Sequence, residues 1–244
     1  MQVEERSWLS PSLGHAMALK VYGHDGRPVL AFPSQDGRYW DFEAWGMVDA
    51  CARFIEAGRM RLVAVDSVDW ESWTNHSIPP ADRGRRHDDY DRYLTSEVVP
   101  FVRDLTGWDR AWATGVSMGG YHAANVVFRH PDLFDGLIAM SGLYQLGLFV
   151  GDDGSEPVYF NSPLRYLPNL EDRWNLDRLR AARIAIVVGQ GAWEEEMLAD
   201  TRALRDVLAA KGIPAIVDEW GPDVNHDWPW WRRMLPHYLE RLGV

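Results

Sequence analysis

Apolar residues recur along this chain in short runs, and most neighbouring runs are separated by stretches with helical spacing. The runs at 16–21, 28–32, 62–65, 111–114, 136–140, 183–188 and 215–219 have the length and β-branched content of strands. Segments 40–57, 90–105, 118–129 and 195–210 read as helices, with a closing helix at 230–242. In the fourth of these, Met197, Thr201, Leu204 and Leu208 share one face while Arg202, Arg205 and Asp206 fall away from it, and Gly212 supplies a stop. Alternation of this kind predicts parallel βαβ units, hence an α/β fold with a mostly parallel central sheet and helices on both faces.

Gly23-His24-Asp25-Gly26 is rich in turn formers and predicts that the first two runs pair as an antiparallel hairpin, leaving the sheet mixed at one edge. Segment 151–173 scatters Gly, Pro and Asn and reads as a loop-rich excursion between strands. No repeat or change in composition divides the chain, so a single domain over 1–244 is expected.

Composition narrows the partners. A net charge of −11 repels a phosphate backbone, which argues against nucleic acid. The one dense basic cluster, Arg83, Arg85 and Arg86, runs into His87, Asp88 and Asp89 and reads as a solvated loop. Cys51 is the single cysteine and reads as a small buried side chain. The first residues carry neither a basic nor an apolar leader pattern and no stretch reaches membrane-spanning length, so the expectation is a cytoplasmic protein with no membrane partner. Thirteen tryptophans exceed what the core needs, and some are expected at a cleft.

The chemistry concentrates at Gly115-Val116-Ser117-Met118-Gly119-Gly120, which joins an apolar run to an alanine-rich helical segment. A sharp strand-to-helix turn of this type strains the serine backbone and leaves no room for side chains at the flanking glycines. It presents the hydroxyl at the edge of the sheet. A serine hydroxyl is a weak nucleophile, so a histidine base and a carboxylate to orient that base must follow in the chain. His226 lies in the loop after the last apolar run and is the expected base; His122 and His130 lie on or at the end of the helix leaving the turn. The acid is expected after the 183–188 run, where Glu194 is preferred, Glu195 is the alternative, and Glu196 reads as a helix-start charge; Asp218 or Asp223 could substitute. An oxyanion hole requires two backbone donors, here Met118 and, from the loop after Phe32, Gln35, with Ser34 as the alternative. Pro33 has no N–H to give.

These residues resemble the putative-esterase family of α/β hydrolases, which includes esterase D, feruloyl esterase domains and the mycolyltransferase antigens. The resemblance rests on Gly115 to His122, on Arg129-His130-Pro131-Asp132-Leu133-Phe134, on Ser141-Gly142 and on Asn225-His226-Asp227-Trp228. It implies an α/β-hydrolase fold and a serine ester hydrolase without cofactor or metal, with Ser117, His226 and a carboxylate near Glu194 as triad. The family's Gly-x-x-Asp pattern at the acid is absent, Ala192 standing where the aspartate would fall.

The expected substrate is a small-molecule or oligomeric ester, with Trp40, Trp70, Tyr144 and Trp228 as candidate contacts around the cleft and Trp73 nearby. Capture of the acyl group by an alcohol would make the same site an acyltransferase, and a ligand-binding protein on a retained hydrolase fold is the rival from another class. His87-Asp88-Asp89 and His226-Asp227 lack the spacing of metal ligands. Assembly into a homo-oligomer is left open by the sequence.

Overall fold

The computed structural model covers residues 1–244. In chain order it runs β1 (Val3–Leu9), β2 (Ala16–Tyr22), β3 (Arg27–Phe32), α1 (Asp41–Ala44), α2 (Met47–Ala50), α3 (Ala52–Glu56), β4 (Met60–Val65), α4 (Pro80–Tyr93), α5 (Val99–Thr106), β5 (Ala111–Val116) and α6 (Met118–Arg129). It continues through β6 (Phe134–Met140), α7 (Gly147–Val150), α8 (Glu156–Tyr159), α9 (Pro163–Tyr166), α10 (Arg173–Ala181), β7 (Arg183–Val188), α11 (Glu195–Ala210), β8 (Ile216–Glu219) and α12 (Trp228–Leu242).

The strands form one eight-stranded sheet in the order β1-β2-β4-β3-β5-β6-β7-β8. β1 with β2 and β2 with β4 are antiparallel, and every other pair is parallel. The expected hairpin between the first two apolar runs does not form, because β4 inserts between β2 and β3. Gly26 passes so close to the start of β4 that a Cβ there would stand 2.3 Å from the Arg59 carbonyl carbon. That approach is how the chain steps across β4 instead of turning back on β2. β1 itself carries little hydrophobic signal, since five of its residues are exposed and it lies at the sheet edge.

The central strands are buried on both faces, and period-two alternation sorts their side chains into two cores. Leu30, Val63, Ala113, Leu137 and Ile186 point into the larger core, under α4, α5, α6, α10 and α11. Val29, Leu62, Trp112, Ile138 and Val187 point into the second, under α2, α3 and α12.

Where helices differ from expectation, local chemistry explains the difference. Segment 40–57 breaks into α1, α2 and α3, with Gly46 in a left-handed conformation at the first break (φ 71°). The helix expected at 90–105 starts earlier, at Pro80, and passes through a π-helical turn (Leu94–Val98) into α5. The Arg83–Arg86 cluster is therefore helical, not a loop. Arg83 is buried and donates to the Ile78 and Phe149 carbonyls, and Arg86 pairs with Glu71. The 151–173 excursion contains the short helices α8 and α9 and ends at α10, whose cap Asp172 accepts from the Asn175 N–H. No helix is long and apolar enough to cross a membrane.

In the strand order, the chain moves outward from β3 to β4 and then returns to place β5 on the other side of β3. That reversal opens a crevice beyond the carboxyl ends of β3 and β5, which is where open α/β sheets hold their ligands.

Candidate active site

Ser117 follows β5 and caps α6 with φ 56° and ψ −124°, a conformation that costs a non-glycine residue about 1–3 kcal/mol. The turn holds because its neighbours lack side chains. A Cβ on Gly115 would lie 2.1 Å from the Gly119 carbonyl oxygen, and one on Gly119 would lie 2.2 Å from the Phe32 and Pro33 carbonyls. The second contact also shows how tightly the start of α6 seats against the loop after β3.

The Ser117 hydroxyl faces His226 Nε2 at 2.9 Å and donates to it, while His226 Nδ1–H points to Glu194 Oε2 at 3.3 Å. His226 comes from the loop between β8 and α12, which is laced to the loop after β7. His226 N–H donates to the Ala192 carbonyl, Gly191 N–H to that of Val224, and Ala192 N–H to Asn225 Oδ1. Close approach at Gly189 and Gly191, where a Cβ would fall 2.2 Å from the Val224 carbonyl and 2.3 Å from Asn225 Oδ1, lets the two loops lie flat together.

Glu194 is fully buried at the start of α11, directly after Trp193 in a left-handed conformation (φ 67°), and its side chain turns inward instead of lying along the helix surface. Its Oε1 accepts from the Ser141 hydroxyl at 2.6 Å and, more weakly, from the Gly189 N–H at 3.4 Å. Trp231 Nε1–H donates to Ser141 Oγ at 3.0 Å, and the Trp231 ring stands edge-on to the His226 imidazole with centroids 4.9 Å apart. Ser141 and Trp231 were not singled out for this role from sequence. The available signal was Ser141-Gly142 directly after a strand, without an indication of what the serine would touch.

Of the other acids weighed from sequence, Glu195 and Glu196 are exposed in the first turn of α11. Asp218 accepts from Tyr238 and Arg241, away from His226, and Glu194 is the carboxylate that meets the histidine. His130 pairs with Asp91 at the far end of α6, and His122 with Asp69.

Met118 opens α6, so its N–H has no preceding helical turn to bond into. In the loop after β3, the N–H groups of both Ser34 and Gln35 donate to nothing else in the chain. These N–H groups lie on the two segments that meet at Gly119.

The aromatic candidates separate into two groups. Trp40 and Trp70 are 40% and 39% exposed and bracket the Arg38 guanidinium, which lies 4.6 and 5.5 Å from their ring centres and pairs with Asp66. Tyr144, by contrast, is completely buried, and its backbone N–H donates to Asp200, so its ring offers no face to a ligand. Trp228 is only 6% exposed, stacked on Trp45 and edge-on to Phe42 and Trp231, and Trp73 is fully buried. These three build the walls beneath the loops. A cleft of about 830 Å³ opens at the opposite end of α6 beside Arg129 and His130, and neither Ser117 nor His226 lines it.

A family model described as "Putative esterase" matches residues 10–242. Among curated proteins nothing matches. Among solved structures, a ferulic acid esterase superposes with a TM-score of 0.78 at 19% identity, covering 99% of this chain and 96% of its own. MPT51 of Mycobacterium tuberculosis gives 0.74 at 17% identity over 100% and 98% of the two chains. S-formylglutathione hydrolase FrmB of Staphylococcus aureus gives 0.70 at 15% over 99% and 96%. At these identities the likeness is one of fold, and the fold is that of the α/β hydrolases.

Proposed function

The chain belongs to the esterase family whose model spans residues 10–242, and from that premise we propose that it is a serine carboxylic-ester hydrolase working through a Ser117–His226–Glu194 triad and an acyl-enzyme. The observation that carries the reading is the Ser117 hydroxyl 2.9 Å from His226 Nε2 on a strained strand-to-helix turn.

In this reading Nε2 takes the Ser117 proton as Oγ attacks the ester carbonyl carbon. The imidazolium that forms carries a proton on each nitrogen, and buried Glu194 stabilises the one on Nδ1. The carbonyl oxygen becomes an oxyanion held by the Met118 N–H and by a donor from the loop after β3, with Gln35 preferred and Ser34 the alternative. Collapse of the tetrahedral species breaks the ester C–O bond, and the leaving alkoxide takes the proton from Nε2. Water, deprotonated by His226, then attacks the acyl-enzyme and returns Ser117. Trp40 and Trp70, exposed beside the oxyanion loop, are the proposed surfaces for stacking the bulkier part of the substrate.

Hydrolysis of a short p-nitrophenyl ester series, together with fluorophosphonate labelling, tests this. Ser117→Ala and His226→Ala should each lower kcat by roughly 10³-fold or more, and labelling should be stoichiometric in the wild type and absent in Ser117→Ala. A folded wild type that hydrolyses no ester and takes no label would end the esterase reading in favour of a binding protein. Ester formation exceeding hydrolysis when alcohols are added would instead identify an acyltransferase.

A further inference from the structure

Five residues after Ser117 on α6, His122 is buried and donates Nε2–H to Asp69 Oδ1 at 2.8 Å. Asp69 is also buried, in a short turn (Asp69–Glu71) after β4. Its second oxygen accepts the backbone N–H of Asp36 at 3.1 Å. One buried carboxylate thus joins the nucleophile helix to the loop that follows β3.

The point of attachment is specific. Asp36 has φ 55°, a left-handed conformation unfavourable for a residue with a side chain. It is held there by Asp69 through its N–H and by the Thr74 hydroxyl, which donates to Asp36 Oδ1 at 2.6 Å. The turn is closed by the Gly37 N–H on the Ser34 carbonyl at 2.9 Å and by the Ser67 hydroxyl on the Gly37 carbonyl at 3.0 Å. Fixing the Asp36 N–H fixes the plane of the Gln35–Asp36 peptide. Ser34 and Gln35, whose N–H groups are free, directly precede Asp36 in this closed turn, so anchoring the turn restrains the direction of both N–H groups.

The other groups around His122 do not compete for Asp69. His87 stacks on it at 5.3 Å, and burial holds the His87 pKa well below the ordinary histidine value, so this neighbour stays uncharged. Phe32, Tyr90 and Tyr121 complete the shell. Accepting two N–H groups stabilises a carboxylate that burial would otherwise penalise heavily, which makes the arrangement rigid.

We propose that Asp69 and His122 are positioning residues that set the loop donor of the oxyanion hole against the Met118 N–H. The inference rests on the esterase reading above. Because an oxyanion donor is worth more in the transition state than in the ground state, misdirecting it lowers kcat and leaves KM nearly unchanged. Asp69→Asn keeps the shape of the side chain but can no longer accept from both donors. His122→Ala removes one donor, whereas His122→Gln restores an N–H near the position of Nε2.

The experiment measures kcat and KM on p-nitrophenyl acetate, the rate of fluorophosphonate labelling, and the thermal midpoint of each variant. Asp69→Asn and His122→Ala should lose about 10- to 100-fold in kcat and labelling rate, less than deletion of a donor outright, with KM within about twofold. His122→Gln should recover most of the loss. Folded variants with wild-type kcat would overturn the proposal. So would a fall in kcat that tracks a lowered thermal midpoint without recovery in His122→Gln. If Asp69→Asn fails to fold, the Ala and Gln pair at 122 decides. Wild-type labelling keeps the two readings apart: an unlabelled wild type removes the esterase reading and this one with it, whereas a labelled wild type with unaffected variants removes only the positioning role.

Discussion

The Ser141 hydroxyl donates to Glu194 Oε1 at 2.6 Å across a separation of 53 residues, and so ties the end of β6 to the loop after β7. Ser141 adopts φ 50°, which aims its side chain sideways into the space between Glu194 and Trp231. With Oε1 engaged, Oε2 is left for His226.

Ser141→Ala should therefore loosen the carboxylate without removing it. A buried acceptor that loses a short hydrogen bond costs about 1–3 kcal/mol, which should appear as a lowered thermal midpoint. The histidine would be oriented less well, and kcat on p-nitrophenyl acetate should fall by about tenfold. Unchanged kcat in a folded variant would show that the Gly189 N–H suffices to hold Oε1.

Glu194 and Glu195 are adjacent in sequence but opposite in environment, one fully buried beside His226 and the other exposed at the start of α11. Glu194→Gln preserves shape but presents an N–H or a weak acceptor to Nδ1, and kcat should drop by roughly 10²- to 10⁴-fold. Glu195→Gln should retain activity within about twofold, since an exposed helix-start charge contributes only tenths of a kcal/mol. Steady-state kinetics on the pair would decide the acid, and the reverse ranking would reassign it to Glu195.

These contrasts show which features could be read from sequence. The turn around Ser117 is local: strand, glycines and helix all lie between 111 and 129, and β5 and α6 match their expected positions closely. His226, the histidine that meets the Ser117 hydroxyl at 2.9 Å, could be picked out because a base in such a triad is expected at a fixed position in chain order. The expected acid could be narrowed to a cluster only, since the difference between Glu194 and Glu195 lies in tertiary packing, one buried against Ser141 and His226 and the other exposed. Nonlocal pairing was out of reach. Nothing in residues 16–32 signals that β4 will insert between two consecutive strands. The pairs Asp69–His122 and Ser141–Glu194, each 53 residues apart, leave no periodic trace. Tyr144 looked available as an aromatic residue beside a loop, and packing placed it entirely inside.

Cys51 is completely buried between α2 and α3, and burial pushes its thiol up to about 12. The thiolate is the reactive form, so the native protein should resist iodoacetamide at pH 8 and label at one site only after denaturation. Mass spectrometry after a timed exposure checks this. Modification in the native state at a rate near that of a free thiol would mean that the α2–α3 junction opens readily.

Glu97, in the π-helical turn between α4 and α5, anchors the edge of the sheet. It accepts from Trp8 Nε1 at 2.8 Å, the Ser10 hydroxyl at 2.8 Å and the Ser12 N–H at 3.1 Å, so one carboxylate holds the end of β1 and the loop after it. Burial by itself would raise its pKa, but the bonds from Ser12, Trp8 and Ser10 outweigh that and hold it below the ordinary carboxylate value. With the folded pKa lowered, the stabilisation is fully present above the unfolded value and is lost as pH falls through the folded one. Glu97→Gln should cost about 1–2 kcal/mol at pH 7, allowing for solvent screening of this partly buried group. The gap between variant and wild type should close as pH falls below about 4. Denaturant melts at pH 7, 5 and 3.5 would measure it, and a gap that persisted undiminished to the lowest pH would mean that the charge on Glu97 is not what holds β1 in place.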